Sequence, residues 1–331
     1  RAPLFARRTP PVQAQFGPGI YPAYRKGGLG WIWKKSEIPS MSILVTGGAG
    51  YIGSHMVYAL TDAGRDVVVL DNLSTGSRGL VSEAAQFAQG DAGDIALVTN
   101  LIARHCIDTI IHFAGSIVVP DSVADPLAYY ANNTVVARNL IEAAVKSGVK
   151  NFIFSSTATV YAGESADPLS ETLPTGPASP YGRSKLMTEW MLEDCAHAYD
   201  FRYVALRYFN VAGADEKGRT GQSSPRATHL ITRASQVALG RVPHLDIFGT
   251  DYPTADGTGV RDYIHVSDLT DAHALALEYL QTKGQSAVMN CGYGHGASVR
   301  DVIASMERVT GRPLLVKESP RRPGDPPWLV A

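Results

Sequence analysis

Thr46-Gly47-Gly48-Ala49-Gly50-Tyr51-Ile52-Gly53 is the stretch of sequence that decides the fold. It follows the apolar run 43–45 and precedes a helical pattern that stops at Gly64. The glycines at 48, 50 and 53 have the Gly-x-Gly-x-x-Gly spacing, which permits a tight turn and close approach of the backbone to a pyrophosphate at a helix N-terminus. A second apolar run ends at Asp71, 18 residues after Gly53. The stretch therefore predicts a strand, turn and helix that bind a dinucleotide.

Asp71 indicates which dinucleotide is bound. Its carboxylate would accept hydrogen bonds from the adenosine ribose hydroxyls and would repel a 2′-phosphate. The next two residues, Asn72 and Leu73, offer no arginine to bind such a phosphate. NAD is therefore favoured over NADP. A glycine-rich turn without a ligand is the alternative, and the strand, helix and acid around the turn disfavour it.

Short, continuously apolar runs alternate with amphipathic segments along the chain. They recur at 67–70, 109–113, 152–154 and 203–206. This alternation is typical of a parallel sheet that is covered by helices on both faces. We therefore expect an α/β fold, with a Rossmann-type doubly wound parallel sheet in residues 41–207. A smaller, partly interleaved substrate lobe is expected in residues 208–331, with ligands bound at the carboxyl ends of the strands.

The first forty residues differ in composition from the rest of the chain. They are rich in arginine, lysine and proline and contain a single acid, Glu37. Prolines at this density disfavour a continuous helix and a packed core. We expect residues 1–40 to be a disordered or non-native leader and the folded part to begin at Met41.

Composition excludes several classes of protein. The net charge of -1 argues against a nucleic-acid partner. No run approaches the ~20 apolar residues of a membrane-spanning helix, so we expect no membrane association. Cys106, Cys195 and Cys291 are far apart and have no His or Cys at metal-ligand spacing. We expect no metal site and reduced thiols, as in a cytoplasmic protein.

Residues 179–185 (SPYGRSK) begin a helix, with Pro180 in its first turn. Tyr181 and Lys185 are four residues apart and lie on one face of that helix. A phenol has a pKa near 10, and a neighbouring ammonium and the positive nicotinamide ring would both favour the phenolate. Tyr181 could then act as a general base near neutral pH. Taken alone the pair would be a solvated one, but after a dinucleotide turn the catalytic interpretation is favoured.

The run 155–157 (SST) ends an apolar strand at the edge where the cofactor should lie. A hydroxyl at that edge can bind a reacting sugar oxygen. The alternative, that strand-end hydroxyls satisfy loop backbone, suits two of these three residues.

Together these segments resemble the extended short-chain dehydrogenase/reductase family, and most closely its UDP-hexose 4-epimerases. The resemblance covers residues 41–331 almost continuously, and the run from 252 to 265 is its most specific part. The matching segments are 46–54 (TGGAGYIGS), 71–73 (DNL), 112–115 (HFAG), 154–161 (FSSTATVY), 179–185 (SPYGRSK), 206–213 (LRYFNVAG), 247–265 (IFGTDYPTADGTGVRDYIH) and 321–325 (RRPGD).

The resemblance implies an isomerase that holds NAD tightly and does not consume it. Tyr181 would remove the proton of the sugar 4-hydroxyl while hydride passes from C4 to the nicotinamide. The 4-keto sugar would then rotate, and hydride would return to its other face. Thr157 matches the family's hydroxyl partner of the sugar. Lys185 matches the residue that holds the nicotinamide ribose and tunes Tyr181.

The resemblance also implies the ligand contacts. For the UDP-sugar, these are Thr157, Asn210, His229, Ile247, Phe248, Arg261, Arg322 and Asp325. For NAD, they are Gly47, Gly48, Gly50, Tyr51, Ile52, Gly53, Asp71, Asn72, Asp91, Ala92, Phe113, Ala114, Gly115, Asn132, Tyr181, Lys185 and Tyr208.

Four positions depart from the family pattern or bear on specificity. Ile117 stands where many members have a lysine near the substrate, and His229 where an asparagine is frequent. Leu329 falls where a residue limits the volume of the sugar pocket, and a bulky tyrosine there disfavours a 2-acetamido group. The family continues beyond the position of Ala331, so we expect the given chain to be less stable than a completed one.

The expected reaction is the conversion of UDP-glucose to UDP-galactose, in galactose metabolism or in the supply of sugars for polysaccharides. A 4-epimerase of UDP-N-acetylglucosamine or UDP-xylose is the alternative. A 4,6-dehydratase would want an acid beside Thr157, and none is present. A non-catalytic NAD-binding regulator is disfavoured because Tyr181 and Lys185 are both retained. The family resemblance further implies a homodimer.

Overall fold

The computed structural model describes residues 42–163, 167–224, 228–282, 284–322 and 325–331. The prediction of a leader in residues 1–40, and of a fold that begins at Met41, lies outside the described residues.

The elements alternate between strands and helices, as the sequence pattern predicts. The strands are β1 (Ser42–Thr46), β2 (Val67–Asp71), β3 (Gln86–Gln89), β4 (Ile107–His112), β5 (Asn151–Thr157), β6 (Arg202–Tyr208), β7 (Asn210–Ala212), β8 (Leu245–Phe248), β9 (Val260–Arg261), β10 (Tyr263–His265), β11 (Ala287–Cys291), β12 (Ala297–Ser298), β13 (Val316–Ser319) and β14 (Trp328–Leu329). The α-helices are α1 (Tyr51–Asp62), α2 (Ile95–His105), α3 (Val119–Ala124), α4 (Pro126–Tyr129), α5 (Val136–Lys146), α6 (Pro180–Ala198), α7 (Leu230–Ala238), α8 (Val266–Gln281) and α9 (Val299–Thr310). A π-helical segment, Tyr130–Val135, joins α4 to α5.

A seven-stranded parallel sheet forms the centre of the molecule, with the order β11-β6-β5-β4-β1-β2-β3. Every residue of β1, β2 and β5 is buried. One apolar cluster packs the sheet against α1 and α8, and a second packs it against α2, α5 and α6. Helices on both faces explain why these strands are buried at every residue rather than at alternate ones. The predicted α/β fold of Rossmann type is confirmed.

The strand order reverses between β1 and β4, since β2 and β3 lie on one side and β5 and β6 on the other. The carboxyl ends of β1 and β4 therefore form a crevice, which is where open α/β sheets bind ligands.

The chain after β6 is interleaved with the sheet. Strand β11 pairs with β6, and α8 covers one face. The remaining strands form small sheets: β7 with β10, β8 with β13, and β9 between β12 and β14. Of these short strands, β7 follows the carboxyl end of β6 after one residue. None of the helices in the described ranges is long and apolar enough to cross a membrane.

Candidate active site

The glycine-rich turn between β1 and α1 is built around close backbone contacts. Gly47 has φ of 72°, and a Cβ there would lie 2.6 Å from the backbone nitrogen of Ala114. A Cβ on Gly53 would lie 2.2 Å from the carbonyl oxygen of Gly47. Larger residues at these two positions would push the turn away from β4 and from α1.

The turn offers donors for a pyrophosphate. Helix α1 begins after Gly50, which supplies no side-chain cap, and its first turn has no acidic residue. The first N–H groups of α1 and its positive dipole end therefore face the crevice. This set of donors at the start of α1 fits a dinucleotide phosphate.

Asp71, at the end of β2, both shapes the turn and keeps capacity for a ligand. One carboxylate oxygen accepts from the backbone N–H of Ala49 at 2.9 Å, and the other accepts from that of Leu73 at 2.8 Å. Each oxygen retains a lone pair for a ribose hydroxyl. The structure thus gives Asp71 a second task, which is to hold the glycine turn against β2.

The other predicted NAD contacts lie along the same edge. Asn72 follows β2 and Asp91 follows β3, and the Asn72 Nδ2 lies 3.5 Å from Oδ2 of Asp91. The next residue, Ala92, is buried. Residues 113–115 directly follow β4. Asn132 donates to the hydroxyl of Ser116 at 2.8 Å in the next part of that loop.

Helix α6 holds Tyr181 and Lys185 against the end of β5. Ser179 caps the helix by accepting from the N–H of Gly182 at 3.2 Å. Lys185 is buried, and its Nζ donates to the carbonyl of Ser155 at 3.0 Å. The Tyr181 hydroxyl is hydrogen-bonded to the side chain of Thr157. The structure therefore brings the three predicted catalytic residues together.

Burial controls the acid–base properties of this pair. It raises the pKa of Tyr181 above its usual value, with Tyr208 acting in the same direction and the hydrogen bond to Thr157 opposing. It lowers the pKa of Lys185 to about 8. The protein's own groups therefore favour the neutral phenol, and a positive charge at the crevice is needed to draw it towards the phenolate.

Two further predicted NAD contacts lie at the carboxyl edge, since Tyr208 ends β6 and Phe113 directly follows β4. The Tyr208 hydroxyl is hydrogen-bonded to that of Ser155, and burial raises the pKa of Tyr208 to about 12. The Phe113 ring lies 4.8 Å from the ring of His273, which is fully buried in α8. Phe113 and Tyr208 are both half-buried.

A cavity of about 320 Å³ lies between α1 and the strands that follow β6. The Tyr51 hydroxyl donates to the carbonyl of Gly213 at 2.6 Å and so ties the cofactor helix to this region. Predicted residues Asn210 and His229 both line the cavity, and burial lowers the pKa of His229, which favours its neutral form. The lining residues are Tyr51, Asn210, Val211, Ala212, Gly213, Ala214, Gln222, His229, Leu230, Ile231, Thr232, Ser235 and Tyr263.

The remaining predicted substrate contacts form a second cluster. Arg261 Nη2 lies 2.5 Å from Oδ1 of Asp325. The Arg322 guanidinium carbon lies 3.9 Å from the centre of the Phe248 ring. Pro323 and Gly324, between these residues in the sequence motif, lie outside the described residues. Because β7 pairs with β10 and places Asn210 opposite Tyr263, two residues after Arg261, this cluster adjoins the cavity.

Ile247 does not fit its predicted role through its side chain. It is 1 % exposed and packs in an apolar cluster with Leu245, Ile303 and Leu314. Only its backbone is left to contact a ligand. The alternation of β8 explains this, since neighbouring residues face opposite sides and Phe248 is the half-buried one.

Sequence reasoning missed several residues of the site, among them the polar residues Tyr263, Gln222 and Asn133. Tyr263 and Gln222 line the cavity. Asn133 accepts from the N–H of Ser116 at 2.7 Å and donates to the hydroxyl of Ser184 at 3.0 Å, which fastens the loop after β4 to α6. Tyr263 could have been found from the alternation that places it on the same side as Arg261. Asn133 could not have been found, because the π-helical segment that sets its direction apart from that of Asn132 has no recognisable pattern in the sequence.

Two positions that depart from the family pattern also lie near the site. Ile117, in the loop after β4, is 51 % exposed and supplies no charge. Leu329 pairs with Arg261 between β14 and β9 and packs against a cluster that includes Leu186 and Phe209. Leu329 therefore lies between the substrate cluster and the start of α6.

Comparison with known proteins agrees with this geometry. The sequence pattern of the NAD dependent epimerase/dehydratase family matches residues 43–292. The chain is 55% identical to UDP-glucose 4-epimerase of Azospirillum brasilense over 292 residues, which are 88% of this chain and 84% of that protein. The crystal structure of UDP-glucose 4-epimerase from Brucella ovis in complex with NAD has a TM-score of 0.85 and 45% identity, covering 88% of this chain and 89% of that one. The UDP-Glc/GlcNAc 4-epimerase from Campylobacter jejuni has a TM-score of 0.75 and 47% identity, covering 88% and 90%.

These matches confirm the predicted resemblance, the prediction of an isomerase and NAD as its cofactor. The family pattern spans the glycine turn, the Tyr-Lys helix and the strands that follow, and it ends just beyond β11. On sequence and fold together, the chain belongs to the NAD dependent epimerase/dehydratase family.

Proposed function

We propose that this chain catalyses the NAD-dependent 4-epimerisation of a UDP-hexose and converts UDP-glucose to UDP-galactose. The names of its relatives indicate this reaction. The observation that carries the proposal is the position of Tyr181, Lys185 and Thr157 at the carboxyl edge of the sheet, beside the glycine turn. Residues 41–207 would bind NAD, and residues 208–331 would bind the substrate.

Tyr181 removes the proton from the sugar 4-hydroxyl. It later returns a proton to the same oxygen, after the sugar has presented its opposite face. Thr157, hydrogen-bonded to Tyr181, binds that oxygen and keeps it in line with the phenol. Lys185 binds the nicotinamide ribose and, below its pKa of about 8, supplies a positive charge one helical turn from the phenol. The glycine turn and Asp71 would hold NAD, which would supply an acceptor for the hydride of the sugar C4 and a donor for its return. Burial of the pair excludes water, which would compete for these protons.

The UDP part is held by the cavity and by the cluster next to it. Arg261 and Arg322 offer planar, bidentate donors to the diphosphate. Asp325 would accept from the uridine ribose, and the Phe248 ring lies along the uracil. Asn210 and His229 contact the phosphates from the cavity side. UDP-N-acetylglucosamine and UDP-xylose stay open as alternative substrates, because neither contact set reads the 2- or 5-substituent of the sugar.

The test is turnover of UDP-galactose by purified full-length protein without added NAD. Conversion to UDP-glucose is expected, together with close to one NAD released per chain when the protein is denatured. A protein that contains no NAD, and that stays inactive when NAD is added, would contradict the proposal.

We also propose a homodimer in the cytoplasm. Neighbouring helices expose large apolar side chains, namely Val123, Leu127, Val135 and Trp190, at 58%, 78%, 53% and 53%. A second copy that covers this face would remove them from water. The free cysteines suit a reducing compartment. Light scattering should give twice the chain mass, and Leu127→Glu should give the monomer; a monomeric wild type would contradict the dimer.

A further inference from the structure

A buried ion pair lies behind the catalytic edge of the sheet, and no role described so far uses it. Arg207, in β6, donates to Glu189, in α6, through Nε to Oε1 at 3.0 Å and through Nη2 to Oε2 at 2.6 Å. The two side chains are 7% and 4% exposed. A bidentate pair at this burial fixes the orientation of both partners.

Glu189 lies on the same face of α6 as the catalytic pair, one turn after Lys185 and two turns after Tyr181. Together the three side chains hold three consecutive residues at the end of β5. The contacts are Lys185 to the carbonyl of Ser155 at 3.0 Å, Ser156 to Glu189 at 2.5 Å, and Tyr181 to Thr157.

Stability alone is a weak reason for such a pair. Taking two charges out of water costs much of what their attraction returns, and well-packed apolar residues often hold a fold as firmly. A planar guanidinium with two parallel hydrogen bonds does fix direction, which apolar contacts do not. Arg207 is fixed in turn by its position over the Tyr161 ring, 4.8 Å from the ring centre.

The geometry points to Glu189 and Arg207 as positioning residues that set the register of α6 against β5 and β6, and thereby the places of the Tyr181 hydroxyl and the Lys185 ammonium. This inference rests on the proposed function. A displacement of about 1 Å can cost on the order of 10²-fold in rate, and this pair controls two catalytic groups at once. Because neither residue lines the substrate cavity, the effect belongs to kcat and not to substrate binding.

The test compares kcat and KM for UDP-galactose, Kd for UDP and NAD content in Glu189→Gln, Arg207→Lys and the double variant Glu189→Gln/Arg207→Gln. Glu193→Gln is the matched control, since it makes the same substitution one turn further along α6 at an exposed site. We expect kcat to fall about 10- to 100-fold in each single variant. KM and the Kd for UDP should stay near the wild-type values, and the control should match wild type. The double variant should lose no more than the worse single one, because the two residues act as a unit.

Wild-type kcat in Glu189→Gln at a temperature where both proteins are folded would overturn the inference. A lowered Tm with unchanged kcat would overturn it too, since that is the behaviour of a merely structural pair. If a single variant does not fold, the double variant decides, because it buries no unpaired charge. Its wild-type kcat would overturn the inference, and a reduced kcat at unchanged KM would support it. Failure of the proposed function would differ, since the wild type itself would not convert UDP-galactose.

Discussion

The carboxyl edge of the central sheet and the small sheets beyond β6 are built in different ways. At the edge, backbone geometry forms the cofactor site: glycines at 47 and 53, the free start of α1, and Asp71 bonded to the turn. Beyond β6, side chains form it, as in the pair of Arg261 with Asp325, which are 64 residues apart in sequence. The first region depends on a local motif and the second on contacts between distant segments. We therefore expect substitutions in the first to affect cofactor and chemistry, and those in the second to affect substrate binding.

The largest effect is expected for Tyr181→Phe. Loss of a positioned general base lowers turnover by about 10²–10⁴-fold. NAD content and the Kd for UDP should stay near wild type, because neither the glycine turn nor Arg261 is touched. Tyr199→Phe, at the exposed end of α6, is the control. Turnover near wild type in Tyr181→Phe would mean that another group is the base.

Lys185→Met should lower kcat and change its pH dependence. The lysine pKa of about 8 means that the wild-type ammonium loses its proton as pH rises through that value, so kcat should decline there. Without the cation the phenolate is less favoured, so the acid limb of the variant's profile should lie at higher pH. Lys146→Met removes an exposed charge, 70% accessible, as a control. Superimposable profiles of wild type and Lys185→Met would refute the electrostatic role.

Gly53→Ala should weaken NAD retention and lower the free energy of unfolding by about 1–3 kcal/mol. The added Cβ would lie 2.2 Å from the carbonyl of Gly47, so the turn must shift. Gly79→Ala, whose Cβ would meet nothing closer than 3.8 Å, is the matched control. Released nicotinamide and a denaturant titration give both quantities. Full NAD content in Gly53→Ala would show that the turn tolerates the shift.

Arg261→Gln should raise KM and the Kd for UDP by about tenfold or more, since a hydrogen bond to a charged group contributes ~1.5–3 kcal/mol. The kcat and the NAD content should change little. Arg300→Gln, which removes an exposed arginine paired with Glu318, is the control. An equal loss of NAD in Arg261→Gln would break the separation between the two regions.

The smallest effect is expected for Leu329→Tyr. Leu329 pairs with Arg261, and a tyrosine ring in place of leucine would narrow the sugar side of the substrate cluster. Discrimination by size alone amounts to ~1–3 kcal/mol, so the wild type should turn over UDP-N-acetylglucosamine slowly and the variant more slowly still. The measurement is the ratio of kcat/KM for the two UDP-sugars. The same ratio in both proteins would show that Leu329 does not limit the pocket.

The contrast between the regions also explains what the sequence could predict. The glycine turn, Asp71 and the Tyr-Lys spacing are local patterns, and each predicts its own structure because strand, turn and helix follow one another in the chain. The parallel sheet follows from the apolar runs by the same reasoning. The general-base role of Tyr181 stays a prediction, because the burial that raises its pKa depends on packing and not on spacing.

The substrate region shows where this reasoning stops. The family motif pointed to Ile247 and Phe248 together. In β8 neighbouring side chains face opposite sides, so that of Ile247 packs in the core and that of Phe248 does not. Tyr51 was predicted as an NAD contact, and its hydroxyl also donates to the carbonyl of Gly213 in the region beyond β6. Glu189 and Arg207 have no local signature, because an ion pair between a helix and a strand exists only after both have packed.

The measurement that tests the central claim most directly uses UDP-galactose with deuterium at C4 of the sugar. The wild-type protein, without added NAD, is expected to convert it to UDP-glucose that retains the label at C4. Retention is the result expected if hydride leaves and returns at one carbon within a closed site, while Tyr181 moves the proton of the neighbouring oxygen. Loss of the label to solvent, or its appearance at another carbon of the sugar, would contradict the account.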